Sequence, residues 1–176
     1  METIRIKTTE DPLFASLWEI YENSFPYAER RTPAHQRTAL RSADYHMNAY
    51  AEDGAVAGLI GYWEFPDYLY VEHLAVNPEL RGSGHGSRIM RELIGSTDKT
   101  IILEIEPVED EATARRLRFY EKLGFRTNPY RHPQHRYHED DPDDLLLTIL
   151  SYPDPISAQT YERFNRDLRD VVMRRP

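Results

Sequence analysis

Apolar and polar positions along the chain fall into short alternating runs and helical stripes. Ile4-Arg5-Ile6-Lys7 alternates and predicts an opening strand. Behind Asp11-Pro12, a cap with proline at the first helical position, Leu13, Leu17, Ile20 and Tyr21 share one helical face. Ser24-Phe25-Pro26 ends that helix, and the polar segment 27–41, with Glu29-Arg30-Arg31 and Pro33, leaves room for a second helix lying over a functional site. Residues 45–51 and 55–65 flank Asp53-Gly54, the dipeptide that favours the primed turns of a hairpin. Phe65-Pro66-Asp67 turns into a strand over 68–76, rich in β-branched and aromatic residues and ended by Asn77-Pro78. Ile89, Met90, Leu93 and Ile94 then form one helical stripe, and residues 100–106 read as a further strand. In the tail, 130–137 is expected to pair with 145–152 across the acidic loop 139–144, with Leu145-Leu146-Leu147-Thr148-Ile149-Leu150 as the last buried strand. Tyr161, Phe164, Leu168 and Val171 keep helical spacing in a terminal helix over about 157–172, packed on the domain or on a partner. The order describes one α+β domain over 1–176 with no linker and no internal repeat.

Between strand 68–76 and the helix after it lies Arg81-Gly82-Ser83-Gly84-His85-Gly86. Strand, glycine-rich turn and helix start together form a nest of backbone N–H groups, which the positive helix end also suits to a phosphate. The nest lacks the lysine and hydroxyl pair of a nucleoside-triphosphate loop, since Gly86 precedes Ser87, and its alternating glycines miss the dinucleotide spacing. A glycine-rich turn taken alone also has a plain structural reading.

Val71-Glu72-His73-Leu74-Ala75-Val76 followed by Arg81-x-x-Gly84-x-Gly86 resembles the acyl-CoA signature of the GNAT superfamily of N-acyltransferases. The run 115–125, ending Tyr120-Glu121-Lys122-Leu123-Gly124-Phe125, is similar to that family's later helix. The resemblance covers about residues 1–151, most sharply 69–126. It implies a mixed, mostly antiparallel sheet of about seven strands flanked by helices, with a splayed central strand and here an extra C-terminal helix. It also implies acetyl-CoA as co-substrate. Backbone amides of Leu74, Ala75 and Val76 would hold pantetheine, and those of Arg81, Gly82, Ser83, Gly84, His85, Gly86 and Ser87 the pyrophosphate. One departure stands out: where many relatives carry an asparagine, this chain has Glu111-Ala112-Thr113-Ala114.

Composition narrows the chemistry. With no cysteine, the chain has no disulfide, thiolate metal site or thiol nucleophile, so an acyl group cannot pass through a thioester on the protein itself. A net charge of −8 makes nucleic acid a poor partner and suits a cationic amine, although charge of this size also serves solubility. No segment reads as a membrane span or a signal peptide, so the expected location is cytoplasmic.

Period-two alternation places Glu72 with Tyr70 and Leu74 on one strand face and His73 on the other. Glu72 is the first candidate for the base that deprotonates an amine; the competing reading is a salt bridge to an arginine. His73 is a reserve base if a bulge intervenes, and otherwise a hydrogen-bonded core histidine. By the resemblance, Tyr120 protonates the departing sulfur; its alternative is a core tyrosine beside Leu117 and Leu123. Arg81 and Arg88 are candidates for phosphate oxygens, with His85 an exposed helix-start residue. His132, His135 and His138 recur every third residue, but with Pro133 among them they read as an exposed, substrate-facing strand and not as a metal site. Trp63, Phe65, Tyr27 and Tyr68 could line an acceptor pocket or simply be core. The function expected is an acetyl-CoA-dependent N-acyltransferase acting directly on a small-molecule or protein amine. The alternative is a non-catalytic CoA-binding sensor with the same fold. No metal, nucleic-acid or membrane partner is expected, and a homodimer stays open.

Overall fold

The computed structural model describes residues 1–141 and 145–174. Its elements follow in the order β1 (Glu2–Ile6), α1 (Phe14–Ser24), α2 (Pro33–Leu40), β2 (Tyr45–Glu52), β3 (Ala55–Glu64), β4 (Tyr68–Val76), α3 (His85–Gly95), β5 (Thr100–Ile105), α4 (Glu111–Lys122), β6 (Arg126–Thr127), β7 (His132–Pro133), β8 (Leu146–Tyr152) and α5 (Ala158–Asp167). A π-helical turn, Leu168–Val172, continues α5. The strands form an eight-stranded sheet ordered β1-β2-β3-β4-β5-β8-β6, with β7 also paired to β8. Only β4 and β5 run parallel; the other pairings are antiparallel.

Burial on both sheet faces explains why the central strands are near-continuous apolar runs. On one face Leu17, Tyr21, Met47, Tyr68, Tyr70 and Phe164 pack beneath α1, α2 and α5. On the other, Leu69, Val71 and Leu103 meet Ile89, Met90 and Leu93 of α3 and Tyr120 of α4. The hairpin turn has both Asp53 and Gly54 at positive φ, as a primed turn requires. Asp110 caps α4 by accepting from the Thr113 N–H, while the Thr113 hydroxyl accepts from the Asp110 N–H.

Three local expectations change. Pro12 does not open α1, which starts at Phe14 without a side-chain cap, because the Asp11 carboxylate is already accepting the N–H groups of Lys7 and Thr8. The strand expected over 130–137 shrinks to β7 and its two residues, since Pro133 has no N–H with which to continue the ladder; residues 142–144 of the acidic loop lie outside the described set. The final strand begins at Leu146, and both Leu145 and Leu146 are exposed. No described helix is long and apolar enough to cross a membrane.

Candidate active site

The parallel pairing of β4 with β5 stops at Val71 opposite Leu103. Beyond it the two strands separate, and β4 continues against β3 alone to Val76. The edge of β4 from Glu72 onward therefore presents backbone N–H and C=O groups that have no partner strand. The gap opens into a cleft of about 700 Å³. One end is walled by Arg81, Gly82, Gly84, His85, Gly86 and Ser87, and the middle by Leu74–Val76, Phe119 and Tyr120. The other end is formed by Phe25, Glu29, Glu104, His135 and Tyr137. The cofactor residues expected from the sequence thus come together along one wall. Ser83 is the exception: its hydroxyl is spent on the Leu80 carbonyl and faces His85 Nδ1 at 2.7 Å.

Gly82 (φ +81°) and Gly84 (φ +87°) both occupy the left-handed region, and Gly84 is the N-cap of α3. This conformation turns successive amides toward the cleft at the helix start, where the first N–H groups have no intrahelical acceptor. A Cβ at either glycine would meet nothing within 4 Å, so the space above the nest is open. The residues present therefore fit a pyrophosphate.

Two charged groups expected there are otherwise engaged. Glu52 accepts from His85 Nε2 at 2.9 Å and from Arg88 Nη1 at 3.1 Å, which draws both side chains toward β2. His85 is consequently buried, not exposed. The sequence reading missed Arg115 and Arg116 on α4, which line the cleft beside the nest. Arg116 pairs with Glu106, while Arg115 is exposed and makes no ion pair among the described residues.

A β-bulge decides the geometry at the strand gap. Gly61 pairs with His73 and Tyr62 with Val71, so Glu72 has no opposite number on β3. The extra residue resets the alternation, as bulges beside active sites often do. Glu72 and His73 now both project toward the α1 side, and Leu74 packs on the opposite face with Val71. The expectation that Leu74 shares a face with Glu72 is thereby corrected.

The Glu72 side chain is fully buried and accepts three hydrogen bonds. Arg31 Nη2 donates to Oε1 at 2.7 Å, the Tyr137 hydroxyl to the same oxygen at 2.7 Å, and Trp63 Nε1 to Oε2 at 2.8 Å. Burial pushes the carboxyl pKa up, but Arg31 and the other donors outweigh it and hold it below the usual carboxylate range. Arg31 is enclosed by the rings of Trp63, Tyr137 and Tyr45 at 5.6, 5.8 and 5.9 Å, and its Nη2 also donates to the Val172 carbonyl. His73 is buried, with Nε2 2.9 Å from the Glu29 carbonyl; burial lowers its pKa, and its buried Nδ1 has no hydrogen-bond partner among the described residues.

Tyr120 lies between α4 and the cleft. Burial raises its pKa to about 12, opposed slightly by Arg116, and no hydrogen bond reaches its hydroxyl among the described residues. Its O–H is therefore protonated and uncommitted at the cleft wall.

The aromatic residues expected at an acceptor pocket are elsewhere. Trp63, Phe65 and Tyr68 belong to the core, and Tyr27 is exposed, stacked on His138 at 3.8 Å. The histidine series is not an exposed strand either: His132 and His138 are buried, and His135 Nε2 contacts Asn165 Oδ1 at 2.8 Å. No three His, Asp or Glu among the described residues are grouped to hold a metal. Sequence reading overlooked Glu104, whose place beside the gap depends on where β4 and β5 part.

The fold and cleft have counterparts among known proteins. A Bacteroides thetaiotaomicron structure called "Putative acetyltransferase from GNAT family" is 30% identical and superposes with a TM-score of 0.90 over 98% of both chains. The Bacillus subtilis (strain 168) protein called "Putative acetyltransferase YjbC" is 31% identical over 111 residues, which is 62% of this chain and 56% of that protein. This chain thus matches little more than half of that relative's length. An aminoglycoside 6'-N-acetyltransferase solved with coenzyme A shares the fold, with a TM-score of 0.63 and 16% identity over 89% of this chain and 99% of its own. The model of the acetyltransferase (GNAT) family matches residues 12–125, which hold the glycine nest, the strand gap and the Tyr120 helix. On that match, and on the architecture around the cleft, the chain belongs to the GNAT family of acetyltransferases.

Proposed function

We propose that this acetyltransferase takes acetyl-CoA as donor and passes the acetyl group directly to a primary amine within a ternary complex. The observation that carries the reading is one cleft joining the open glycine nest to the β4–β5 gap, lined by the Tyr120 hydroxyl, which no hydrogen bond reaches among the described residues. Acetyl-CoA would supply a thioester: the amine nitrogen bonds to its acetyl carbon, the C–S bond breaks, and the sulfur leaves with a proton. Amides of residues 81–87 would hold the pyrophosphate, joined by the Arg115 guanidinium. The unpaired edge at Leu74–Val76 would bond pantetheine and polarise the thioester carbonyl. Tyr120 would hold its proton toward the departing sulfur. With a pKa about 12 it is a weaker acid than a thiol, so it acts through a placed hydrogen bond more than through acidity. The absence of cysteine supports direct transfer.

The acceptor end supports a cationic amine. Glu29 faces the cleft with no hydrogen bond or ion pair to its carboxylate among the described residues; burial, and then Glu106, push its pKa up. An ammonium group would relieve both. Glu72, by contrast, is held by Arg31, Tyr137 and Trp63, an arrangement that favours the salt-bridge reading over that of a base. The sealed His73 Nδ1 likewise leaves that residue in a structural part.

Thermal-shift titration with acetyl-CoA, ATP and NAD, followed by thiol-dye detection of CoA release over a panel of primary amines, tests the reading. Stabilisation by acetyl-CoA alone and amine-dependent release are expected. Binding without release for any amine would leave a CoA-binding sensor; stabilisation by ATP or NAD instead would remove the donor assignment.

A further inference from the structure

The acceptor end of the cleft is bounded by two segments that are fastened to each other. Gln134 Nε2 donates to the Ala28 carbonyl at 3.1 Å, and His138 Nε2 lies 2.9 Å from the Tyr27 carbonyl, its ring stacked on the Tyr27 ring. Between them the Tyr137 hydroxyl donates to Glu72 on β4, and His135 contacts Asn165 of α5. Gln134, His135 and Tyr137 line the cleft together with Phe25, Pro26 and Glu29, so the fastened segments wall this end. A polypeptide acceptor would have to part these contacts, whereas a small molecule would not. Phe25, Leu147 and Met173 give the same end an apolar lining: the Phe25 ring lies 4.7 Å from that of His73, Leu147 pairs with His132, and Met173 follows the carbonyl that binds Arg31. Such a lining suits a carbon chain better than the hydroxyls of an amino sugar.

One carboxylate at this end stands apart. Glu72 is bonded by Arg31, Tyr137 and Trp63, Glu104 by Tyr70 and His132, and Glu106 by Arg116. The half-buried Glu29 has no hydrogen bond or ion pair to its carboxylate among the described residues. The arginines near it are spent elsewhere: Arg30 is paired with Glu22, Arg31 with Glu72 and Arg116 with Glu106. The position of Glu29 is nonetheless fixed, since its carbonyl takes the His73 Nε2 contact beside the strand gap. A carboxylate held in a cleft without a counter-ion from the protein calls for a cation from the ligand. An ion pair keeps an ammonium charged, whereas the nitrogen that attacks a thioester must be neutral, so the cation that suits Glu29 is not the reacting nitrogen.

Resting on the acetyl-transfer reading above, we propose that the acceptor is a small aliphatic diamine and that Glu29 selects it by binding the ammonium that does not react. The carbon chain lies along Phe25, Leu147 and Met173, and the other nitrogen reaches the thioester at the β4–β5 gap. That nitrogen bonds the acetyl carbon as C–S breaks, and it gives up two protons, one to solvent and one to the departing sulfur. The product is a monoacetylated diamine that keeps one positive charge. Turned end for end, this product would set a neutral amide against Glu29, so a second transfer is disfavoured.

The test measures kcat/KM for α,ω-diamines of graded length, for n-alkylamines matched to them, and for an amino sugar and a lysine peptide. Wild type and Glu29→Gln are compared, with acetyl-CoA affinity from calorimetry and folding from thermal melts. Wild type is expected to prefer one diamine over its matched monoamine by about 10–100-fold, carried by KM, and mass spectrometry to find a single acetyl group on the product. In Glu29→Gln the preference should fall to near parity, with acetyl-CoA affinity within about twofold of wild type. Preference for the peptide or the amino sugar, a diamine acetylated at both ends, or a preference kept in folded Glu29→Gln would each overturn the proposal. A folded Glu29→Gln that no longer binds acetyl-CoA would place the residue with the donor and overturn it too. If Glu29→Gln does not fold, the wild-type comparison decides: preference for a diamine of one length supports the proposal, and its absence overturns it. Equal efficiency with monoamines and diamines removes this assignment alone, whereas no CoA release with any amine removes the acetyl-transfer reading as well.

Discussion

Tyr120 and Glu72 occupy the same cleft, yet the surroundings of each dictate a different experiment. No hydrogen bond reaches the Tyr120 hydroxyl among the described residues, and burial raises its pKa to about 12, so it stays protonated over the working range. Tyr120→Phe keeps the ring packed against Phe119 and Phe125. Steady-state kinetics should show kcat lowered by about 10²–10⁴-fold with acetyl-CoA affinity unchanged; a loss under twofold would make it a packing residue. Glu72 instead balances the buried Arg31 guanidinium. Removing that charge strands Arg31 among three aromatic rings, so Glu72→Gln should lower stability by about 3–5 kcal/mol in urea unfolding. An unchanged unfolding midpoint would count against the structural role.

At the scale of elements, the glycine nest and the first turn of α4 are expected to share the donor. Gly84→Val forces a β-branched residue into φ +87°, with strain of about 1–2 kcal/mol, and its methyls would fill space that is open in the free protein. Calorimetry should find a folded variant with acetyl-CoA binding abolished; retained affinity would rule the nest out as the phosphate site. Arg115→Ala should weaken acetyl-CoA binding by about tenfold and flatten its salt dependence, because its guanidinium has no carboxylate partner among the described residues. Arg88→Ala should change affinity much less, since Arg88 is already bonded to Glu52. Equal effects of the two substitutions would contradict this division of labour.

For the molecule as a whole, the buried ionisable groups set the response to pH. His73 titrates in the folded state below its ordinary value of 6.5, because burial disfavours the imidazolium. The unfolded chain therefore binds the proton first, and stability present above pH 6.5 falls as pH drops toward the folded-state value. Glu72 is also depressed, from 4.5, so its contribution is complete above that pH and is lost on further acidification. Thermal melts should show a midpoint that declines gently below pH 6.5 and steeply below pH 4.5. His73→Asn should shrink the decline in the first region, which His46, also lowered by burial, shares, and leave the second; a decline unaltered in that variant would locate the titration elsewhere.

The sequence by itself determined the order of the elements apart from β6 and the extent of β7, together with the glycine-rich turn and the Tyr120 helix, because hydrophobic period, turn chemistry and the Arg81-x-x-Gly84-x-Gly86 spacing are local properties of the chain. Only the tertiary structure decided the site. The bulge at Glu72 depends on the register between β3 and β4, and a one-residue shift there moves Leu74 to the other face. The partner of Glu72 comes from Arg31, 41 residues away, and the contact of Glu104 from His132, 28 residues on. No period in the sequence records such pairings, because they arise where strands part and a C-terminal helix closes over the gap.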